Sequence, residues 1–355
     1  MGLFDFLGFN KLPLGVTNSS LLITDAATLA RAGTFLDALQ AKFHNIAIAL
    51  TDIPNTAPAL PHIVLPTDSA AAIARIQKTQ PQRLIALGLS GEYAPLVKSV
   101  TCPRFWINAR DTAATDVGCQ CVTTAHAGVS LANAIITGDP LAGLSSLPAI
   151  TVDAELCLRF KEQRESGRWL GYFAATGENE EDLAYALFSR AMRHKMGLML
   201  LAPRDPSRCE PVYRESIKYR LQTIRHQRFS TSFVPIKTRV YYIEQSHPLA
   251  AFYGCVDFVV TGATLHADAK NTPDILSPIL HSKPVLVGSA HRDLPLIAAA
   301  IDAGVVLNGM DNEQLFTHIK TLLDDPAYGA NLAKHAHDWI NQQVGATARV
   351  LALLN

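Results

Sequence analysis

Short apolar runs alternate with helix-patterned stretches along almost the whole chain, and this alternation decides the fold class. In the first half, Ser20–Thr24, Ile46–Thr51, His62–Leu65, Leu84–Leu87, Arg104–Asn108, Cys119–Thr123 and Ala134–Ile136 read as strands. Between them, Ala26–Phe43 carries Leu29, Phe35, Leu36 and Leu39 at helical spacing. Thr67–Lys78 is a second helix, with Thr67 or Asp68 positioned as its cap. The strands are apolar throughout, so both of their faces must be covered. That requires a parallel sheet with helices on either side.

A second series of the same kind follows. Trp169–Ala174, Leu198–Leu201, Arg239–Ile243, Phe258–Thr261, Pro284–Val287 and Val305–Leu307 read as strands. Glu180–His194, His247–Cys255, Asp274–His281, Leu294–Ala303, Asn312–Leu323 and Ala327–Asn341 read as helices, with a basic helical stretch after Leu201. The segment Gly138–Gly167, containing DPLAGLSSLP, breaks the rhythm. A chain of 355 residues suits two domains. The pattern predicts a Rossmann-like domain over 1–150, a linker over 151–167, a second Rossmann-like domain over 168–330 and a closing helix over 331–355 that crosses back. Two doubly wound sheets of this kind face each other across a cleft, and ligands bind at the carboxyl ends of the strands.

Composition narrows the function. Apolar residues make up 48% and charged residues 17%, enough for two cores. Lys+Arg and Asp+Glu are both 31, so the basic excess of a nucleic-acid binder is missing. No apolar run has the roughly 18 residues of a membrane span, and the start does not read as a secretory signal. The six cysteines lack a zinc spacing and read as buried thiols of a reducing compartment. The histidines are scattered, so a metal cluster is not indicated. Charge is uneven, however: Arg190 to Arg239 holds 12 Lys and Arg against 3 Asp and Glu. That segment is either a solvated helix face or a surface for phosphates or anionic lipid. Phe4, Phe6, Leu7 and Phe9 form either an interfacial anchor or a packed or disordered arm.

Neither a Gly-x-Gly-x-x-Gly after the first strand nor a Walker A sequence occurs, and a Gly-x-Ser-x-Gly elbow is missing. The informative segments lie in the second half. Phe173-Ala174-Ala175-Thr176-Gly177-Glu178-Asn179-Glu180-Glu181 ends a strand and opens an acidic helix. Leu201-Ala202-Pro203-Arg204-Asp205-Pro206 ends the next strand. Asp257–Leu265 runs into a small-residue turn, and Asn271–Pro284 supplies a helix. The free N–H groups of Gly262–Leu265, and Thr264, suit an anion such as a phosphate, or else form only a tight turn.

This order resembles the nucleotide-sugar domain of GT-B glycosyltransferases, most of all the 3-deoxy-manno-octulosonic acid (Kdo) transferases of lipopolysaccharide assembly. In that family a strand ends near Ala-Ser-Thr-His-x-Gly-Glu-Glu and a later one near Leu-Ala-Pro-Arg-His-Pro, followed by a Gly-Gly-Ser-Leu turn and a Leu-Glu-Pro helix. The matching residues here are Thr176, Glu180, Glu181, Ala202, Pro203, Arg204, Pro206, Gly262, Thr264, Leu265, Leu276 and Pro278. In the first half, Ser90–Pro95, Ile107-Asn108-Ala109-Arg110 and Ile136–Asp139 are similar to shorter family motifs. The resemblance implies a GT-B fold and metal-independent, inverting transfer of a Kdo-like sugar from a CMP-activated donor to a lipid-A-like or other glycolipid acceptor. It implies a cytoplasmic protein, peripheral on the inner face of the membrane, with the nucleotide sugar as substrate and no separate cofactor.

The resemblance assigns roles residue by residue. Thr176, Arg204, His247, Gly262, Thr264 and Ser277 fall on the nucleotide-sugar side, and Asn108 and Arg110 on the acceptor side. The family's catalytic Glu is replaced in the stretch Ile23–Thr28, where Asp25 is the nearest carboxylate. Asp25 is expected as general base and Glu92 as acceptor ligand, with Glu92 the competing base and a helix cap the competing role for Asp25. The Glu of Leu-Glu-Pro is Ser277, and the His after Thr176 is Gly177. These departures support a second reading, a non-catalytic paralogue that uses the cleft as a binding or scaffold module. A sugar-nucleotide epimerase shares the architecture, but no convincing acid/base set is visible.

Overall fold

A computed structural model describes residues 12–125, 131, 133–229, 232–244 and 249–355. The chain divides into two compact units. The first comprises the described residues up to Ser146 together with Gln342–Asn355, and the second is Leu147–Asn341. Both are Rossmann-like and doubly wound, each with a seven-stranded sheet whose paired strands all run parallel.

The first unit contains β1 (Ser20–Thr24), α1 (Ala26–Arg31), α2 (Gly33–Lys42), β2 (Ile46–Leu50), β3 (His62–Val64), α3 (Ser69–Thr79), β4 (Arg83–Leu87), α4 (Ala94–Lys98), β5 (Arg104–Ile107), β6 (Cys121–Thr124) and β7 (Ile135–Ile136). Their order is β3-β2-β1-β4-β5-β6-β7. The chain reverses its winding between β1 and β4, which puts the crevice of this sheet at Thr24–Asp25 and Gly88. Every residue of β1 and β2 is buried, as the uninterrupted apolar runs require. The helix expected over Ala26–Phe43 is two helices. Ala32 ends α1 and starts α2, and Gly33 weakens the helix at that junction.

The second unit begins with α5 (Ala154–Leu158) and α6 (Lys161–Glu165), so the segment expected as a linker folds here, with Leu156 and Phe160 in its core. It continues through β8 (Trp169–Thr176), α7 (Glu181–His194), β9 (Gly197–Pro203), α8 (Cys209–Lys218), β10 (Thr223–Arg225), β11 (Val240–Tyr242), β12 (Phe258–Thr261), α9 (Leu276–Leu280), β13 (Val285–Val287), α10 (Pro295–Asp302), β14 (Leu307–Asn308), α11 (Asn312–Asp324) and α12 (Pro326–Gln343). The sheet order is β10-β11-β9-β8-β12-β13-β14. Strand β10 lies in the stretch expected to be only basic helix; its three residues are half-buried at the sheet edge and carry no apolar run. The winding reverses between β8 and β12, so this crevice lies at Thr176 and Gly262.

Helix α13 (Ala346–Leu353) follows Gly345, whose φ of 70° ends α12. It belongs to the first unit, where Arg349 Nε donates to Thr137 O and Lys42 Nζ to Asn355 Oδ1. Cys157 and Cys255 form a disulfide, which corrects the expectation of six thiols. The bond ties α5 to the 3-10 helix Leu249–Cys255. Among the described residues, no helix is long and apolar enough to cross a membrane.

Candidate functional site

The second sheet's crevice is strained and tightly held. A register shift in the β8–β9 pairing leaves Ala175 as an extra residue at φ 55°, and across the crevice Ala263 has φ 62°. Left-handed alanines cost on the order of 1–2 kcal/mol each, so their surroundings must impose them. Gly262 permits the approach: a Cβ there would lie 2.2 Å from Ala175 O.

Glu180 is what holds these loops. It is fully buried, and its two carboxylate oxygens accept four main-chain N–H groups. Oε2 accepts from Gly177 N at 2.6 Å and Ala263 N at 2.7 Å, while Oε1 accepts from Leu265 N at 2.7 Å and His266 N at 3.2 Å. The charge is satisfied by N–H groups alone, as in an anion-binding nest. The expectation of free N–H groups over Gly262–Leu265 is thereby corrected, because the chain supplies its own anion. Thr264 is buried too; its hydroxyl donates to Thr261 O at 2.5 Å and accepts from Gly288 N at 2.9 Å, leaving it no free valence for a phosphate. Sequence reading saw Glu180 as a first-turn acid. Three of its four partners lie 83 to 86 residues away, which no local pattern reveals.

Beside this plug, a pocket of about 310 Å³ is lined by Thr176, Gly177, Glu178, Arg204, Asp205, Arg208, Lys270 and Asn271. Strands β8 and β9 end here. Arg204 N donates to Thr176 O, and Asn271 Nδ2 donates to Ala175 O at 2.9 Å. The guanidinium of Arg204 and the ammonium of Lys270 make no hydrogen bond or ion pair with the described residues, and Arg204 is exposed. Arg208 is committed to the buried Glu181 at 2.5 Å. The buried hydroxyl of Thr176 has no partner among the described residues. Thr176 and Arg204 are thus brought together, joined by Arg208 and Lys270, which the motif comparison did not single out.

Ser277 sits in the first turn of α9, where its N–H donates to Asp274 Oδ1 and its hydroxyl bonds none of the described residues. Asp274 and Arg204 both act on Tyr253: burial pushes its phenol well up, Asp274 adds to the rise and Arg204 opposes it. Arg204, Tyr253 and Asp274 are therefore electrostatic neighbours at one edge of the sheet. His247 lies outside the described residues, as do Phe4–Phe9.

At the first sheet's carboxyl edge, Asp25 is the N-cap of α1. Oδ1 accepts from Thr28 N at 2.6 Å and Oδ2 from Thr28 Oγ1 at 2.9 Å. Glu92 is exposed in the 3-10 turn after β4, and Ser90 Oγ donates to it at 2.8 Å. It borders a pocket of about 270 Å³ with Thr51, Thr67 and Tyr93. Asn108 adopts φ 58° and donates through Nδ2 to Asp139 at 3.0 Å, so it shapes the end of β5. Arg110 is exposed and pairs with none of the described residues; its guanidinium lies 3.7 Å from where a Cβ on Gly88 would sit. Arg110 therefore stands over the crevice of this sheet.

No protein-family model matches the chain. Among solved structures, it is similar to the C-terminal CMP-Kdo binding domain of WaaA from Acinetobacter baumannii, at 21% identity over 51% of this chain and 93% of that one, with a TM-score of 0.46. It is also similar to Anabaena Alr3699/HepE, solved with UDP and glucose, at 12% identity over 95% and 99% of the two chains, TM-score 0.37. A third is the spinosyn rhamnosyltransferase SpnG, solved with spinosyn aglycone, at 13% identity over 95% and 100%, TM-score 0.37.

Proposed function

We propose that this chain is a glycosyltransferase resembling the Kdo transferases, taking a CMP-activated, Kdo-like donor at the carboxyl edge of its second sheet. The observation that carries this reading is the pocket at the ends of β8 and β9. It offers two unpaired cations, Arg204 and Lys270, and the unpartnered Thr176 hydroxyl. Glu178 and Asp205 on the same wall suit sugar or ribose hydroxyls, so one pocket provides for both halves of a nucleotide sugar. Ser277 supplies a neutral donor and acceptor, without the charge assistance of a carboxylate. His247 keeps its expected donor-side role in this proposal, whereas Gly262 and Thr264 shape the loop that Glu180 holds.

On the acceptor side, Arg110 is the free cation for a phosphate on a glycolipid and Asn108 positions the strand end that carries it. The base falls to Glu92, because both oxygens of Asp25 are engaged in a cap. The proposed reaction is direct, inverting displacement by an acceptor hydroxyl, with no metal and no cofactor beyond the nucleotide sugar. A cytoplasmic, membrane-peripheral setting belongs to the same proposal.

The departures from the family pattern favour a second reading. With Asp25 spent on a cap and Ser277 in place of a carboxylate, the chain resembles a binding module that has lost donor turnover. Calorimetric titration with CMP, CDP, UMP and UDP tests the first reading. It expects at least one Kd tighter than about 1 mM, equivalent to about −4 kcal/mol. Binding without transfer to any glycolipid acceptor selects the second reading, and no binding of any nucleotide rejects both.

A further inference from the structure

The opposite, amino-terminal edge of the second sheet holds a pocket that the proposed reaction does not use. It has a volume of about 440 Å³. Its charged residues precede the strands or close the helices that lead into them: Arg164 in α6, Arg168 before β8, Lys195 before β9, Asp257 before β12 and Lys283 before β13. Four cations thus meet one carboxylate. That carboxylate is taken: Asp257 Oδ1 pairs with Arg164 at 3.2 Å and Oδ2 accepts from Leu170 N at 2.8 Å.

The remaining three cations are oriented without being neutralised. Arg168 donates to Ile236 O and Gln163 Oε1, and Lys195 Nζ lies 3.4 Å from Leu323 O. Those partners are uncharged. The half-buried ammonium of Lys283 has no partner among the described residues. Burial, and then the charge of Arg164, push Lys283 down, with Asp257 opposing; burial and the neighbouring Arg239 do the same to Arg168. Lys283 and Arg164 carry like charge in a partly desolvated pocket and repel one another until an anion enters. Two of these groups, Lys195 and Arg239, belong to the basic stretch whose surplus the carboxyl-edge site leaves unexplained.

We propose that this pocket binds a phosphate or pyrophosphate group, held by Lys195, Lys283 and Arg168, at a site separate from the sugar-nucleotide pocket. The apolar wall of Trp169, Phe258, Leu322 and Pro284 accommodates an organic body attached to that group. Such a phosphate belongs either to a soluble metabolite or to a lipid headgroup.

The test is calorimetric titration of the whole chain with inorganic pyrophosphate. The wild type is expected to bind, and Lys195→Gln/Lys283→Gln to lose about tenfold or more in affinity, as removal of charge-assisted hydrogen bonds predicts. Lys283→Arg should retain binding, which separates loss of charge from loss of folding. Flotation with phosphatidylcholine vesicles, with and without phosphatidylglycerol, distinguishes the sources. Capture on the anionic vesicles that the double variant abolishes identifies a headgroup, whereas pyrophosphate binding without capture identifies a soluble ligand. Equal pyrophosphate affinity in the wild type and the double variant, or no binding at millimolar concentration, overturns the proposal.

Discussion

At the carboxyl edge of the first sheet, Asp25, Asp52 and Asp111 lie at or near the surface, and each holds one or two main-chain N–H groups. At the same edge of the second sheet a single buried carboxylate, Glu180, gathers four N–H groups from both sides of the crevice. The first edge spreads its acids over separate caps and turns, one or two N–H groups each, and leaves Glu92 and Arg110 exposed beside its crevice. The second buries its acid as a structural anion, and its free cations stand next to the crevice instead of on it. An anion-binding loop is therefore not the same thing as an anion-binding site. With Glu180 on these N–H groups, the proposed role of holding the donor phosphate falls to Arg204 and Lys270.

Several substitutions sharpen or break this contrast. The largest effect is expected at the exposed acid of the first edge. Glu92→Gln should lower kcat by about 10²–10⁴-fold while leaving nucleotide affinity unchanged, as loss of a general base does. Full activity in that variant removes Glu92 from the chemistry. Glu180→Ala should destabilise the chain by about 3–5 kcal/mol in urea unfolding, because four main-chain donors, two buried and two part-buried, lose their acceptor. Inorganic phosphate should stabilise this variant more than the wild type by entering the vacated loop. A change under about 1 kcal/mol would show that water replaces the carboxylate without penalty.

Next in size is the disulfide, which staples the second unit alone. Cys157→Ser/Cys255→Ser, closing a loop with a separation of 98 residues in the wild type, should cost about 2–4 kcal/mol in the unfolding of that unit. Smallest is Asp25→Asn. Loss of this cap should cost about 1 kcal/mol and leave transfer intact. If transfer is lost and stability kept, the roles of Asp25 and Glu92 in the proposal are reversed.

The alternation of apolar runs made the two parallel sheets legible, since a strand such as Ile46–Leu50, buried on both faces, has no other use for five consecutive apolar residues. Ser20–Thr24 and Phe258–Thr261 even end at the expected residues. What stayed hidden depends on distant partners. Cys157 and Cys255 are 98 residues apart, and nothing in their spacing couples them. Strand β10, Thr-Ile-Arg, has a single apolar residue and exists because β11 offers it an edge. The break at Ala32–Gly33 lies in a stretch whose apolar spacing is continuous. At the site, Thr176 and Arg204 were visible as strand ends. Arg208 and Lys270 were not, because only the approach of Ala269 and Asn271 to Gly177 brings Lys270 to the same pocket.

The most direct test of the central claim is a crystal structure with whichever nucleotide binds in calorimetry. The account predicts phosphate oxygens within hydrogen-bond distance of Arg204 or Lys270 and the Thr176 hydroxyl, with the Glu180 carboxylate still on Gly177, Ala263, Leu265 and His266. A phosphate seated on the N–H groups of Ala263 and Leu265, with Glu180 displaced, would contradict it.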